Sequence, residues 1–289
     1  MSNSSSTASI DSTEMEYDRI IRPKRGLIGI DFRELWNYRE LFWFLGWREV
    51  IIRYKQTVLG ILWAVIRPVL TMVVFTFIFG HLAGFDKDTS TPYAMITLTG
   101  VVVWQFFSEA LSKSGESLVA QANLITKVYF PRLIIPATYI VSSTIDFAIA
   151  MVILFIVMAY YRLMPSSNLL LLPVFFLIAA MAAFGAGLWL CALNVKYRDV
   201  KHIIPFIVRL GIYVSPVGFL TSKVRPEWRF WYSLNPMVGV IDGFRWCILG
   251  PEFAPYWPGF WVSTGVVVIL LVSGAYYFRH VEKSFADIV

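Results

Sequence analysis

Residues 133–161, LIIPATYIVSSTIDFAIAMVILFIVMAYY, run apolar for 29 positions and carry a single charged side chain, Asp146. An α-helix rises 1.5 Å per residue, so about 20 such residues cross the ~30 Å hydrocarbon core of a bilayer. A water-soluble core has no use for a helix that is apolar on every face for this length. The next run, 169–193, LLLLPVFFLIAAMAAFGAGLWLCAL, has no Asp, Glu, Lys or Arg in 25 residues. Working outward, 60–81, 93–111 and 259–278 read as further spans, and 203–220 as an interrupted one, broken by Pro205, Arg209, Gly211 and Pro216. Such residues are tolerated in a span when neighbouring helices satisfy the freed backbone groups. The fold class expected is therefore all-α integral membrane, with six transmembrane helices in a domain covering 59–280.

The composition agrees: 57% of residues are hydrophobic and 17% aromatic, against 15% charged. That is far more apolar surface than a soluble chain of 289 residues can bury. The formal charge of +6 does not point to nucleic acid. The basic residues sit beside apolar runs, where they fix orientation and meet anionic headgroups.

Lys and Arg distribute unevenly about these spans. Nine lie in the chain through Lys55, three in the connection between the second and third spans, three between the fourth and fifth, and two after the last, which gives seventeen on one side. Six fall on the other side, and Arg67 and Arg209 lie within spans. The positive-inside rule then predicts both termini in the cytoplasm. Residues 1–30 are Ser-rich, lack the short apolar stretch of a signal peptide and are expected to form a flexible cytoplasmic tail, with 281–289 expected as a cytoplasmic C-terminus.

Ahead of the first span, residues 31–58 read as an amphipathic interface helix. Trp36, Trp43, Trp47 and Tyr54 share one face at helical spacing, with Arg39, Glu49 and Arg53 on the other. Between the fifth and sixth spans, residues 221–258 are apolar but carry Pro226, Pro236, Pro251, Pro255 and Pro258. The best helical candidate there, 234–249, is 16 residues long and holds Asp242 and Arg245 on one face, too short and too charged to cross. One or two short re-entrant helices at the outer face are expected.

No enzyme constellation is present. The sequence lacks G-x-x-x-x-G-K-[ST], so no P-loop nucleotide site is expected. His81, His202 and His280 are scattered near span ends, and Cys191 and Cys247 have no metal-ligand spacing. Asp86 and Asp88 are the one close acidic pair in a loop and read as a solvated turn. Neither a catalytic nor a metal site is expected, and no cofactor in this chain.

Polar groups inside spans are costly and carry more weight. Asp146 and Arg209 either pair with each other or line a wet cavity. Arg67, beside Pro68, joins Arg48, Arg53 and Lys55 in a cationic collar that either orients the chain or receives an anionic headgroup. Ala179, Ala183 and Gly187 recur every four residues and permit close helix approach. Phe75, Phe79, Trp104, Phe107, Tyr213 and Phe219 face lipid or line a path over which sugar rings slide. The connection 112–132 is amphipathic, with Glu116, Asn123 and Lys127 between apolar positions, a shape suited to docking on a soluble partner.

Several segments, taken together and in order, resemble one family. Residues 53–63 (RYKQTVLGILW), Arg67-Pro68, 75–80 (FTFIFG), 127–132 (KVYFPR), 194–200 (NVKYRDV), Asn235-Pro236-Met237 and 243–246 (GFRW) are similar to the ABC-2 type permeases that export lipid-linked polysaccharides. The resemblance spans nearly all of the chain after about residue 31. It implies the permease of a bacterial inner-membrane exporter of a polyprenyl-diphosphate-linked glycan such as O-antigen. It also implies a homodimer and two separate ATP-binding subunits, which carry ATP and Mg.

Carried onto this sequence, the resemblance gives headgroup admission to Arg48, Arg53, Lys55, Gln56 and Arg67. Coupling falls to Glu116, Asn123 and Lys127, and the outer gate to Trp231, Asn235, Pro236 and Trp246. The same motifs occur in O-antigen, capsule and teichoic-acid exporters, so the glycan stays open. The alternatives are an ABC-2 exporter of a small hydrophobic compound, a membrane enzyme that makes the glycan, and a structural anchor.

Overall fold

The computed structural model describes residues 32–55, 62–197 and 199–282. All regular structure among them is helical. Five helical segments are long and apolar enough to cross a bilayer. The first, Leu62–Leu82, joins α3 (Leu62–Phe75) to a π-helical end, Thr76–Leu82. The second is α4 (Tyr93–Ala120) and the third α6 (Ile134–Tyr160). The fourth is α7 (Leu172–Lys196), preceded by a 3₁₀ turn, and the fifth is α11 (Trp257–Glu282). Shorter helices complete the chain: α1 (Phe32–Asn37), α2 (Arg39–Lys55), α5 (Ala122–Ile125), α8 (Val200–Val214), α9 (Pro226–Tyr232) and α10 (Pro236–Leu249).

The interrupted span is real helix only as α8. Its 15 residues reach about 22 Å at 1.5 Å per residue, short of the hydrocarbon thickness. At Ser215 the backbone turns extended, and 215–220 is irregular. The connection 112–132 also differs from a free loop. α4 continues to Ala120, and only α5 and the turns after it leave the helix axis. Ser114, Gly115 and Ser117 keep the buried face of α4 narrow enough for it to continue packing beyond Leu111.

α4 is the axis of the bundle, buried along most of its length. α7 packs on it through small residues: a Cβ added at Gly187 would lie 2.7 Å from Ser114 Cβ. On another face α7 meets α11 at Gly185, where an added Cβ would stand 2.6 Å from the backbone nitrogen of Leu271. Without a hydrophobic drive between helices in lipid, such close backbone approach supplies the attraction. Trp189 stacks on Tyr277 at 4.4 Å and donates its indole N–H to Ser273 Oγ at 3.0 Å, securing the same α7–α11 contact.

α10 packs into the bundle against α4, α7 and α11. Eleven of its 14 residues are buried, so protein surrounds this short helix on nearly every side. Asn235 caps it by accepting from the Met237 N–H at 3.0 Å, and Pro236 occupies the first turn. It ends at Gly250, whose φ of 114° only glycine adopts without strain.

Candidate functional site

Three groups of side chains stand out, one at each end of the bundle and one on its flank. At the end that holds α2 and α5, a cavity of about 300 Å³ opens between α2, α3, α4 and α6. Arg53, Arg67 and Lys113 line it together with the carboxylates Glu109 and Asp146. Arg53 pairs with Asp146 and, at 3.2 Å, with Glu109. Lys113 reaches Glu109 at 2.7 Å, one helical turn away on α4. Tyr54 donates its hydroxyl to Asp146. Burial pushes the Tyr54 phenol up, an effect that nearby Arg53 opposes and Glu109 reinforces, so the hydroxyl keeps its proton and remains a donor.

Three cations against two carboxylates leave this cavity one positive charge in excess. Arg67 has no carboxylate partner among the described residues, and its side chain lines the wall. The arrangement suits a ligand with at least one negative charge. Of the residues expected at the headgroup, Arg53 and Arg67 are brought together here. Arg48 instead pairs with Glu49 at 3.1 Å, Lys55 is exposed at the end of α2, and Gln56 lies outside the described residues.

Asp146 thus takes its partner from α2, not from α8. Arg209 is exposed on α8. Tyr54 leaves the aromatic face proposed for the interface helix: Trp36, Trp43 and Trp47 are exposed, while Tyr54 turns inward to Asp146. Leu45, Gly46 and Val50 form the buried face of α2, with Gly46 facing Val141 of α6.

At the opposite end, the irregular backbone after α8 is held by side chains. Arg245 is fully buried. Its Nη2 donates to the Val217 carbonyl at 2.9 Å, its Nη1 to Phe219 at 3.0 Å and its Nε to Ile96 at 3.2 Å. Tyr93 donates to the carbonyl between them, Gly218. Asp242 lies 3.8 Å from Arg245 and balances its charge. Non-helical backbone at membrane depth needs such partners.

On the flank, aromatic rings form a continuous row. Tyr213 meets Phe75 at 5.9 Å, Phe75 meets Phe79 at 5.5 Å, Phe79 meets Phe219 at 6.4 Å, and Phe219 meets Tyr232 at 6.2 Å. Gly218 permits this, since a Cβ there would stand 2.5 Å from the Phe79 ring. Trp104 and Phe107 pair at 5.5 Å but are buried within the bundle, with Trp104 against Gly211 of α8. Of the residues expected at an outer gate, Trp231 is exposed, Asn235 donates to Ser215 Oγ at 2.9 Å, Pro236 starts α10, and Trp246 packs against Trp257 and Phe175.

Glu116, Asn123 and Lys127 are all exposed, and Val119, Val128 and Tyr129 beside them are exposed apolar residues. The residues expected to dock on a partner are therefore at the surface of this chain. Sequence reasoning missed Lys113, Glu109 and Gln121. Lys113 and Glu109 carried a signal, since an i,i+4 pair of opposite charges at the end of an apolar run marks a polar wall.

Comparison with known proteins places these features in context. The ABC-2 type transporter family matches residues 40–249. The O-antigen export system permease protein RfbA of Myxococcus xanthus is 26% identical over 257 residues, covering 88% of this chain and 97% of that protein. A protein of the same name from Klebsiella pneumoniae is 24% identical over 243 residues, covering 84% and 92%. The capsule polysaccharide export inner-membrane protein CtrC of Neisseria meningitidis serogroup B is 21% identical over 229 residues, covering 78% and 84%.

Proposed function

Because this chain belongs to the ABC-2 type transporter family, as a membrane transport subunit without an ATPase domain, we propose that it exports a polyprenyl-diphosphate-linked polysaccharide of the O-antigen class across a bacterial inner membrane. Two copies form the passage, and two separate ATP-binding subunits supply the work. The chain crosses the membrane six times with both termini in the cytoplasm, α8 and the irregular backbone after it serving as the fifth crossing and α10 as a re-entrant element. The O-antigen and capsule export relatives, which the alignment covers over most of their length, support this reading of the cargo.

The observation that carries the mechanism is the cavity with one cation in excess. The excess charge attracts a diphosphate group, with Arg67 as the uncommitted contact and Arg53 presented on its carboxylate supports. The sugar chain follows along the accessible rings of the aromatic row, Tyr213, Phe79, Phe219 and Tyr232, seated on the buried Phe75, whose neighbours offer broad, weakly directional contact.

The double variant Arg53→Gln, Arg67→Gln is expected to cut surface glycan at least tenfold while the protein still inserts in the membrane. The assay is surface glycan by blot against membrane-fraction protein, and unchanged display overturns the role of the cavity. Reversing charge on the exposed loop, Glu116→Lys with Lys127→Glu, is expected to weaken co-purification of the ATP-binding subunit several-fold. Undiminished co-purification removes the loop from the coupling role.

A further inference from the structure

Gln121 stands at the joint between α4 and α5. Its backbone carbonyl accepts the N–H groups of Leu124 and Ile125 at 3.0 and 3.2 Å, so it starts the short helix α5, which presents Asn123 at the surface. Its side chain points elsewhere. The amide Nε2 donates to Glu49 Oε1 of α2 at 3.1 Å and to Tyr139 Oη of α6 at 3.3 Å. Glu49 also holds Arg48 at 3.1 Å, and both carboxylate partners are partly buried.

One turn further along the same α2 helix is Arg53, the residue shared by Glu109 and Asp146 in the cavity wall. α2 is one continuous helix from Arg39 to Lys55. A displacement of its Glu49 turn therefore moves Arg53 and Tyr54 with it, because a helical turn does not stretch. We propose that the Gln121–Glu49 hydrogen bond is the link that ties the position of the docking loop to the geometry of the anion cavity. Gln121 and Glu49 are positioning residues: neither lines the cavity, and each acts through the helix or loop it holds. The functional consequence rests on the transport reading above. By linkage, an anion that shifts Arg53 also changes the affinity of the loop for its partner, and the partner changes the affinity of the cavity.

The groups facing this link are few. Arg48 comes from α2, Gln121 from the α4–α5 joint and Tyr139 from α6, so Glu49 is the one carboxylate in contact among the described residues. Gln121→Glu places a second carboxylate against it and breaks the link by repulsion. The exchange Gln121→Glu with Glu49→Gln rebuilds the same amide–carboxylate pair in reverse.

The test has two readouts on the full chain in nanodiscs. Amide hydrogen exchange over 49–55 and over 121–125 is expected to speed together by about tenfold in Gln121→Glu, the order expected for losing a hydrogen bond to a charged group. It is expected to return towards the wild-type rate in the exchanged pair. Exchange confined to 121–125, or a defect that the exchanged pair does not repair, overturns the link whatever the protein carries. The second readout is the ratio of ATPase rates with and without polyprenyl-diphosphate glycan in the assembly with its ATP-binding subunit. That ratio is expected to fall to near one in Gln121→Glu and to recover in the exchanged pair. A Gln121→Glu assembly that retains the full ratio overturns the coupling role. Correct exchange behaviour with a wild-type assembly indifferent to the glycan leaves the link standing and refutes the cargo instead.

Discussion

Replacing Arg245 by leucine is expected to remove about 3–5 kcal/mol of folding stability, the range found when one member of a buried pair is deleted. The side chain is wholly enclosed and serves three carbonyls from two segments, Ile96 on α4 and Val217 and Phe219 after α8. Leucine fills most of the space but leaves those acceptors, and the carboxylate of Asp242 at 3.8 Å, without their donor. Water cannot replace it in a site with no exposure. Lysine, a point charge without the planar fork, reaches fewer of the three and is expected to restore only part of the loss. Yield of monodisperse protein in detergent and the midpoint of thermal unfolding measure the effect. Arg225→Gln, on an exposed turn, is the control and is expected to match the wild type. An Arg245→Leu protein as stable as the control contradicts the role given to this clamp.

The second large effect concerns α8. Apart from Val200 and Ile204 it buries little, and Phe206 and Leu210 are 62% and 49% exposed. Arg209 is exposed on the same helix. A guanidinium turned to lipid at the centre of a span costs roughly 2.5–3.5 kcal/mol, and α8 is too short to span lipid alone. Cover by a second copy, with a wet passage between the two, removes both difficulties. Phe206→Asp with Leu210→Asp is expected to convert the proposed two-copy assembly largely to single chains and to abolish export. Size-exclusion with light scattering measures the first and surface glycan the second. A two-copy assembly that survives both substitutions moves the contact away from α8.

Much of this architecture is legible in the sequence because length and hydropathy act locally. The span at 133–161 appears within one residue of α6 and that at 169–193 within three of α7, while of the residues expected to break the next span Pro205 and Gly211 lie inside α8 and only Pro216 stands beyond its end. The exposure of Glu116, Asn123 and Lys127 was legible too, since all three side chains are polar.

Pairings across the fold were not legible. Asp146 and Arg209 attract attention together because both interrupt apolar runs, yet the partner of Asp146 is Arg53, 93 positions earlier, brought in by the packing of α2 along α6. Arg245 counts in the sequence as a charge that disqualifies a span. In the structure that charge is what allows the neighbouring backbone to leave helical form. The i,i+3 spacing of Asp242 and Arg245 was the visible clue, because two opposite charges on one face of an apolar helix are affordable only as a pair. Trp104 and Phe107 show the limit of reading aromatics by type alone: both lie inside the bundle, while the row from Tyr213 to Tyr232 depends on Gly218 being bare.

The most direct test is native mass spectrometry of the assembly purified from its own membranes through this chain. The expected spectrum contains two copies of the chain, two ATP-binding subunits and a retained lipid carrying a diphosphate and a ladder of sugar masses. A spectrum of the chain without any ATP-binding subunit, or of an assembly holding only a small hydrophobic compound, contradicts the account.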